Sequence, residues 1–313
     1  VSLLWGAAPR NLGTQNSEAY LVFLQGRAKM ATQRLADTKA AVANFERTLK
    51  LDPNYAPAYV ELAAAKVRLA EFEVTSNRLA DANAAVEESK LLIERALALD
   101  PNDAQAYIER GYLRALINFS GAEQDYRRGI ELNPNSARGY AGLASALYED
   151  PRRRDEALAM LEQARRLDPL AAEYDVLKAQ FLDWGRSRVR EADALLSDVV
   201  ARQPTYVPAL WRLSDLRRTA GHFADAIMYD EQALKLDPLS DWTRRLLIWN
   251  YIDVGDLAAA RQVADEAPHP LPIYRIQFLI HDADWRRAAE VARAALADGT
   301  LSIPNEPHGV FAL

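Results

Sequence analysis

Apolar residues recur along the chain at helical spacing, in blocks that stop and restart. Between Val207 and Pro238, Leu210, Leu213 and Leu216 form one stripe, Gly221 interrupts it, and Ala226, Tyr229 and Ala233 resume it. Intervals of three and four place such side chains on one face of a helix. A glycine between two stripes suits a tight turn, because without a Cβ it takes left-handed backbone readily. The stretch predicts a helical hairpin.

The hairpin repeats. Leu-Asp-Pro stands at 51–53, 99–101, 167–169 and 236–238, and Leu-Asn-Pro at 132–134. With Pro204 and Pro272 included, the prolines are spaced by 48, 33, 35, 35, 34 and 34 residues. Each follows a helical run, where proline ends a helix because it lacks the N–H and clashes with the preceding turn. A small residue recurs near the start of the second run, as Ala41, Ala122, Ala157, Ala192, Ala226, Ala260 and Ala288. Small residues there let two helices cross closely. A period near 34 with two helical runs per unit predicts an all-α, right-handed superhelical solenoid of about eight helix–turn–helix units. The expected organisation is a lead-in segment at 1–17, the solenoid at 18–298 and a tail at 299–313.

Two units depart from the norm. The second is 48 residues long, and its surplus falls near 71–84, between Leu69 and Val86. Shared by both helices, it would lengthen each by about 10 Å. The eighth unit, 275–298, is degenerate: its first helix is short and no closing proline follows it. Pro268, Pro270 and Pro272 are expected to interrupt the helix before it.

Composition narrows the chemistry. Half of the 313 residues are hydrophobic and 26% are charged, a soluble globular balance. The absence of cysteine excludes disulfides, thiolate zinc sites and cysteine nucleophiles. No apolar run reaches the ~18 residues that would span a bilayer. No signal peptide is visible, and the ends at Val1 and Leu313 read as cut edges of a longer protein. The net charge of −6 is carried by residues 222–313, with 8 basic and 14 acidic groups. Nucleic-acid binders usually carry a basic excess, so direct nucleic-acid binding is not expected.

Catalytic motifs are not evident. The four histidines, at 222, 269, 281 and 308, pair with no Ser or Asp in a triad signature. His281, Asp282 and Asp284 form the one compact metal-like cluster, but Asp284 precedes a helix as an ordinary N-cap. Asp253 and Asp256 fall at turns and have the same capping explanation. Neither phosphate-cradling glycine motif occurs, so no enzyme, metal or cofactor is expected. Arg152, Arg153 and Arg154, with Arg186, Arg188 and Arg190, lie between the two helices of successive units. Stacked turns would bring these six guanidiniums onto one basic edge, either a solvated rim balanced by Asp155, Glu156 and Glu191 or a contact for an acidic partner.

The spaced prolines, small residues, turn glycine and aromatics resemble the tetratricopeptide repeat family over roughly 18–298, with 104–134 and 207–238 as the best units. Departures occur: where the family places a Trp in the first helix, Tyr59, Tyr107 and Tyr140 stand at or near the position. The resemblance implies a non-enzymatic scaffold that holds a protein or peptide segment in the groove lined by the first helices. Carried onto this chain, the groove positions are Trp211, Arg212, Asp215 and Arg218, then Arg245, Trp249 and Ile252, with Glu109, Tyr112 and Tyr148 as a weaker continuation. Indole and guanidinium groups suit binding hot spots; the alternative is that Trp211 and Trp249 seal the seam between units, the more common use of aromatics in repeats. The opening segment 13–27 and the long second unit also look like repeat regions of bacterial signalling proteins. That implies an alternative role as the sensory or regulatory region of a transcription regulator or nucleotide cyclase, in the cytoplasm or periplasm.

Overall fold

The computed structural model describes residues 14–32, 34–75, 79–117, 120–183, 188–267 and 272–297, side chains excepted at 72–75 and 79–80. Sixteen α-helices, one short 3-10 turn and no strand occur among the described residues. In chain order they are α1 (Ser17–Met30), α2 (Leu35–Leu51), α3 (Ala56–Thr75) and α4 (Leu79–Leu99). Then come α5 (Ala104–Leu116), α6 (Ala122–Leu132), α7 (Ala137–Tyr148) and α8 (Arg154–Leu167). The series continues with α9 (Ala172–Asp183), α10 (Val189–Arg202), α11 (Val207–Thr219) and α12 (Phe223–Leu236). It closes with α13 (Asp241–Asp253), α14 (Leu257–Asp265), α15 (Pro272–His281) and α16 (Trp285–Ala297). No described helix is long and apolar enough to cross a membrane.

The chain forms two compact units, one of residues 1–71 and 82–134, the other of 72–81 and 135–313. Within the first, α1 packs on α2 and α5 on α6; within the second, α7 packs on α8, α9 on α10, α11 on α12, α13 on α14 and α15 on α16. Helices α3 and α4, at 20 and 21 residues, are the longest.

The Leu-Asp-Pro motif ends helices in a consistent way. Its leucine is the last helical residue of α2, α4, α8 and α12, and the Asp serves as C-cap, its N–H still donating four residues back. The proline beyond cannot continue the helix. Asp52 and Asp100 also fold their carboxylates over the turn, accepting from the Asn54 and Asn102 amides at 3.0 Å. Tyr59 and Tyr107 donate from the next helix to the carbonyls of Pro53 and Pro101, fastening the turn from the other side. N-caps from Asp103, Ser136 and Ser240 then satisfy the free N–H groups that open α5, α7 and α13. Pro272 behaves differently: α14 has already ended at Asp265, and Pro272 opens α15. Pro268 and Pro270 lie outside the described residues.

Gly121, Gly221 and Gly255 take φ of 101°, 82° and 80° between the helices of their hairpins. At Gly221 and Gly255 a Cβ would meet nothing, so the backbone angle and not crowding selects glycine.

The close-approach position lies at the fourth residue of each second helix. Ala82, Ala157, Ala192, Ala226, Ala260 and Ala288 occupy it and are buried. Two of the expected alanines do not. Ala122 is half-buried at the start of α6, and Asp125 fills the position instead, accepting from Arg110 and Arg114 of α5 at 2.7 Å. In α2 the position is Thr38, whose hydroxyl turns back to Arg34 O, and Ala41 packs one turn later. A side chain with its own polar partner substitutes there for a small apolar one.

In the first unit Phe23, Ala41, Phe45, Tyr55, Ala58, Leu62 and Ala65 build a core. In the second, α9, α10 and α11 close over Val176, Ala179, Leu196, Val199, Ala209 and Leu213. A smaller core there joins Ile248, Ala260, Tyr274 and Phe278.

Candidate functional site

Within the second unit the first helices α9, α11 and α13 pack side by side, α11 touching both of the others. This places side chains from consecutive hairpins on one face. Trp211 lies edge-to-face with Trp242 at 6.2 Å between centroids, and Trp242 with Trp249 at 6.4 Å. Three indoles thus run continuously from α11 onto α13. Trp249 is 38% exposed, while Trp211 and Trp242 are half-buried.

Guanidiniums frame the indoles. The Arg212 head lies 4.8 Å from the centre of the Trp211 ring, within cation–π range. Burial lowers the pKa of Arg212 below its ordinary value, partly offset by the charges of Asp215 and Asp183. Arg218 is anchored by Asp215 at 3.0 Å and reaches Asp253 of α13 at 3.5 Å. Arg212 and Arg245 form no ion pair among the described residues. Their Nε atoms are buried without an acceptor, as is Trp242 Nε1, and Asp183 Oδ1 is buried without a donor.

The structure therefore brings Trp211, Arg212, Asp215, Arg218, Arg245 and Trp249 onto adjoining helices, and adds Trp242 and Asp183. The sequence carried a signal for Trp242: Trp242, Arg245 and Trp249 are spaced as i, i+3 and i+7, one helical face. Asp183 had none, being brought in only by helix packing. Ile252 packs against the core of the seventh hairpin. The weaker continuation is internal. Glu109 is buried and accepts from Gln105, Tyr112 donates to Glu71, and Tyr148 is buried in a stack on Phe181 at 3.9 Å.

The arginines between helices are locally engaged. Arg152 pairs with Asp150, Arg153 with Glu156 and Arg188 with Glu191. Arg154 is half-buried over the Tyr148 ring at 5.1 Å. Arg190 is exposed, and Arg186 lies outside the described residues. Carboxylates thus interleave this edge. At the far end of the chain Asp282 pairs with Arg261 at 2.6 Å, and Asp284 caps α16 through the Arg287 amide. His222 is exposed at the N-cap of α12; His269 and His308 lie outside the described residues.

No protein-family model matches the sequence, and no curated protein matches it. Solved structures do. The human IFIT1 dimer with m7Gppp-AAAA superposes with a TM-score of 0.58 over 93% of this chain and 79% of its own, at 16% identity. Yeast Tom70 superposes with a TM-score of 0.53 over 95% of this chain and 67% of its own, at 19% identity. Both contain tetratricopeptide repeats. The paired helices, proline-ended turns and small crossing residues account for that likeness in physical terms, and the chain is a helical-hairpin solenoid of tetratricopeptide-repeat type.

Proposed function

We propose that the chain is a non-enzymatic scaffold that binds a protein or peptide segment across the face of α11 and α13. Trp211, Trp242 and Trp249 would supply apolar area, and Arg212, Arg218 and Arg245 directed donors. The observation that carries this reading is the continuous indole run flanked by two guanidiniums that form no ion pair among the described residues. Large rigid aromatics beside arginine are the side chains most enriched where binding energy concentrates. Arg212 and Arg245 would gain most from an occupant, since their buried Nε donors have no acceptor among the described residues.

A protein segment suits this face better than a nucleic acid. Asp183, Asp215 and Asp253 stand among the arginines on α9, α11 and α13, and their charges would repel a phosphate backbone. The test is retention of partners by the immobilised chain, read by mass spectrometry, for wild type, Trp211→Ala and Arg245→Ala. Circular dichroism verifies the fold of each variant. Loss of the same polypeptide from both variants is expected. If both keep it, the face is misassigned and the Arg152–Arg154 edge becomes the better site. Displacement of the retained protein by a short RNA at physiological salt would point to nucleic acid instead.

A further inference from the structure

Beneath the binding face lies a polar cluster that hairpin packing does not require. Ser214 of α11, Asp230 of α12 and Asn250 of α13 are all fully buried. Asn250 Nδ2 donates to Asp230 Oδ2 at 2.6 Å and to Ser214 Oγ at 3.3 Å. The two remaining oxygens, Asp230 Oδ1 and Asn250 Oδ1, are buried with no donor among the described residues. Two orphaned acceptors on a directly bonded acid–amide pair lack one thing, a proton. Turning the amide over would set Asn250 Oδ1 against Asp230 Oδ2 at the same short distance, which two oxygens reach only with a proton between them.

We propose that Ser214, Asp230 and Asn250 form a proton-dependent staple that positions the binding face. With Asp230 as the neutral acid, its hydroxyl donates to Asn250 Oδ1 while its other oxygen accepts from Asn250 Nδ2. The closed ring fixes α12 against α13, and Ser214 ties in α11. Loss of the proton to solvent opens the ring and leaves a buried carboxylate facing an amide oxygen, so α11 and α13 lose their common register. The face they carry loosens with them. This gating rests on the face assigned above; the staple itself does not.

The surroundings agree. Helix α12 packs on α11 and α13. The charged groups facing Asp230 are Asp215 and Arg218, both of α11, and they oppose one another. From α13, Asp253 is engaged with Arg218, and Glu231 of α12 itself accepts from Tyr251. Burial therefore dominates, partly offset by Ser214 and Asn250, and raises the Asp230 pKa from 3.8 to about 7. A folded-state pKa above the unfolded one stabilises the native chain fully below pH 3.8, and that contribution is lost as pH rises to about 7.

The experiment needs no ligand at first. Tryptophan emission and urea unfolding are followed between pH 4 and 8.5 for wild type and Asp230→Asn. The Asn variant keeps one donor and one acceptor toward Asn250, so it should preserve the ring without the titration. Relative to that variant, the wild-type folding constant should fall by up to about tenfold per pH unit until the plateau near neutrality. Wild-type emission should titrate near neutral pH, and the variant should not. An infrared difference between pH 6 and 8 should show loss of a protonated carboxyl band in wild type, a readout independent of how the variant folds. A wild-type protein without that band change, or an Asn variant that retains the transition, overturns the staple. A partner whose retention needs Trp211 yet ignores the titration overturns the gating. Retention indifferent to Trp211→Ala is instead the failure of the face.

Discussion

A methyl group added at Gly26 tests whether the α1–α2 crossing is as tight as the packing indicates. An ideal Cβ at this position lies 2.5 Å from Phe45 Cε1 and 2.9 Å from both Cδ1 and Cζ. Carbon pairs are comfortable from about 3.5 Å, so the ring or the helix must yield by about 1 Å. The ring has nowhere to go. Phe45 is fully buried and tilted against Phe23 at 5.8 Å, and Phe23 stands edge-on to Tyr55 at 5.0 Å. Against this, alanine is the better helix former by ~1 kcal/mol. Overpacking costs ~1–3 kcal/mol, and three ring atoms under contact place Gly26→Ala at the upper end, for a net loss of about 2 kcal/mol. Urea unfolding measures the loss, and hydrogen exchange of the α1 and α2 amides localises it, since repeat arrays open in parts. Phe45→Leu in both backgrounds completes a cycle in which the Gly26→Ala defect should shrink once the ring is gone. A Gly26→Ala protein as stable as wild type, or strict additivity with Phe45→Leu, refutes the reasoning.

Three further outcomes follow from the same packing. Ala226→Leu, at the fully buried fourth position of α12, should destabilise by ~1–3 kcal/mol; an unchanged melting temperature would contradict the crossing assigned there. Asp125→Ala removes the buried carboxylate that joins Arg110 and Arg114, leaving Arg110 only Glu94 at 3.4 Å, and should cost roughly 2 kcal/mol in unfolding measurements, with a near-zero effect showing that the pair is dispensable. Ala283 sits at φ 59° in the turn before α16, so Ala283→Gly should slow hydrogen exchange in α15 and α16, worth ~1 kcal/mol, and faster exchange would count against strain at this residue.

The architecture was legible because it is written in local, repeated chemistry. A proline two residues beyond a helix-ending leucine, a left-handed glycine in the turn and a buried alanine at the crossing each act within a few residues. What the sequence misplaced depends on side chains meeting across helices. Ala122 matched the small-residue pattern by type, but only the pairing of α5 with α6 shows that Asp125 holds the crossing between two arginines. Tyr148 read as a groove aromatic until its ring met Phe181 one hairpin later. The Asp230–Asn250 pair gave no signal at all, since an Asp and an Asn twenty residues apart are ordinary in any helical chain.

Charge pairing gives a reason to look to α11 and α13 rather than to the arginine-rich turns. Elsewhere in the second unit, several guanidiniums between helices find carboxylates: Arg165 and Arg202 share Asp175 at 2.7 Å, and Arg217 meets Asp193 at 2.9 Å. Even the conspicuous run Arg152–Arg153 is neutralised within its own turn. Arg212 and Arg245 form no such pair among the described residues and lose solvent at Nε, as Arg154 does over Tyr148, but they do so beside three indoles on the same two helices. Hairpin crossings in this unit are filled by alanine, and the proposed binding role accounts for both the indoles and the unpaired charges on this pair of helices. Departures from local consistency concentrate where a chain does something besides fold. Here the departures share two adjacent helices, and the one buried acid–amide pair of the region lies at their junction.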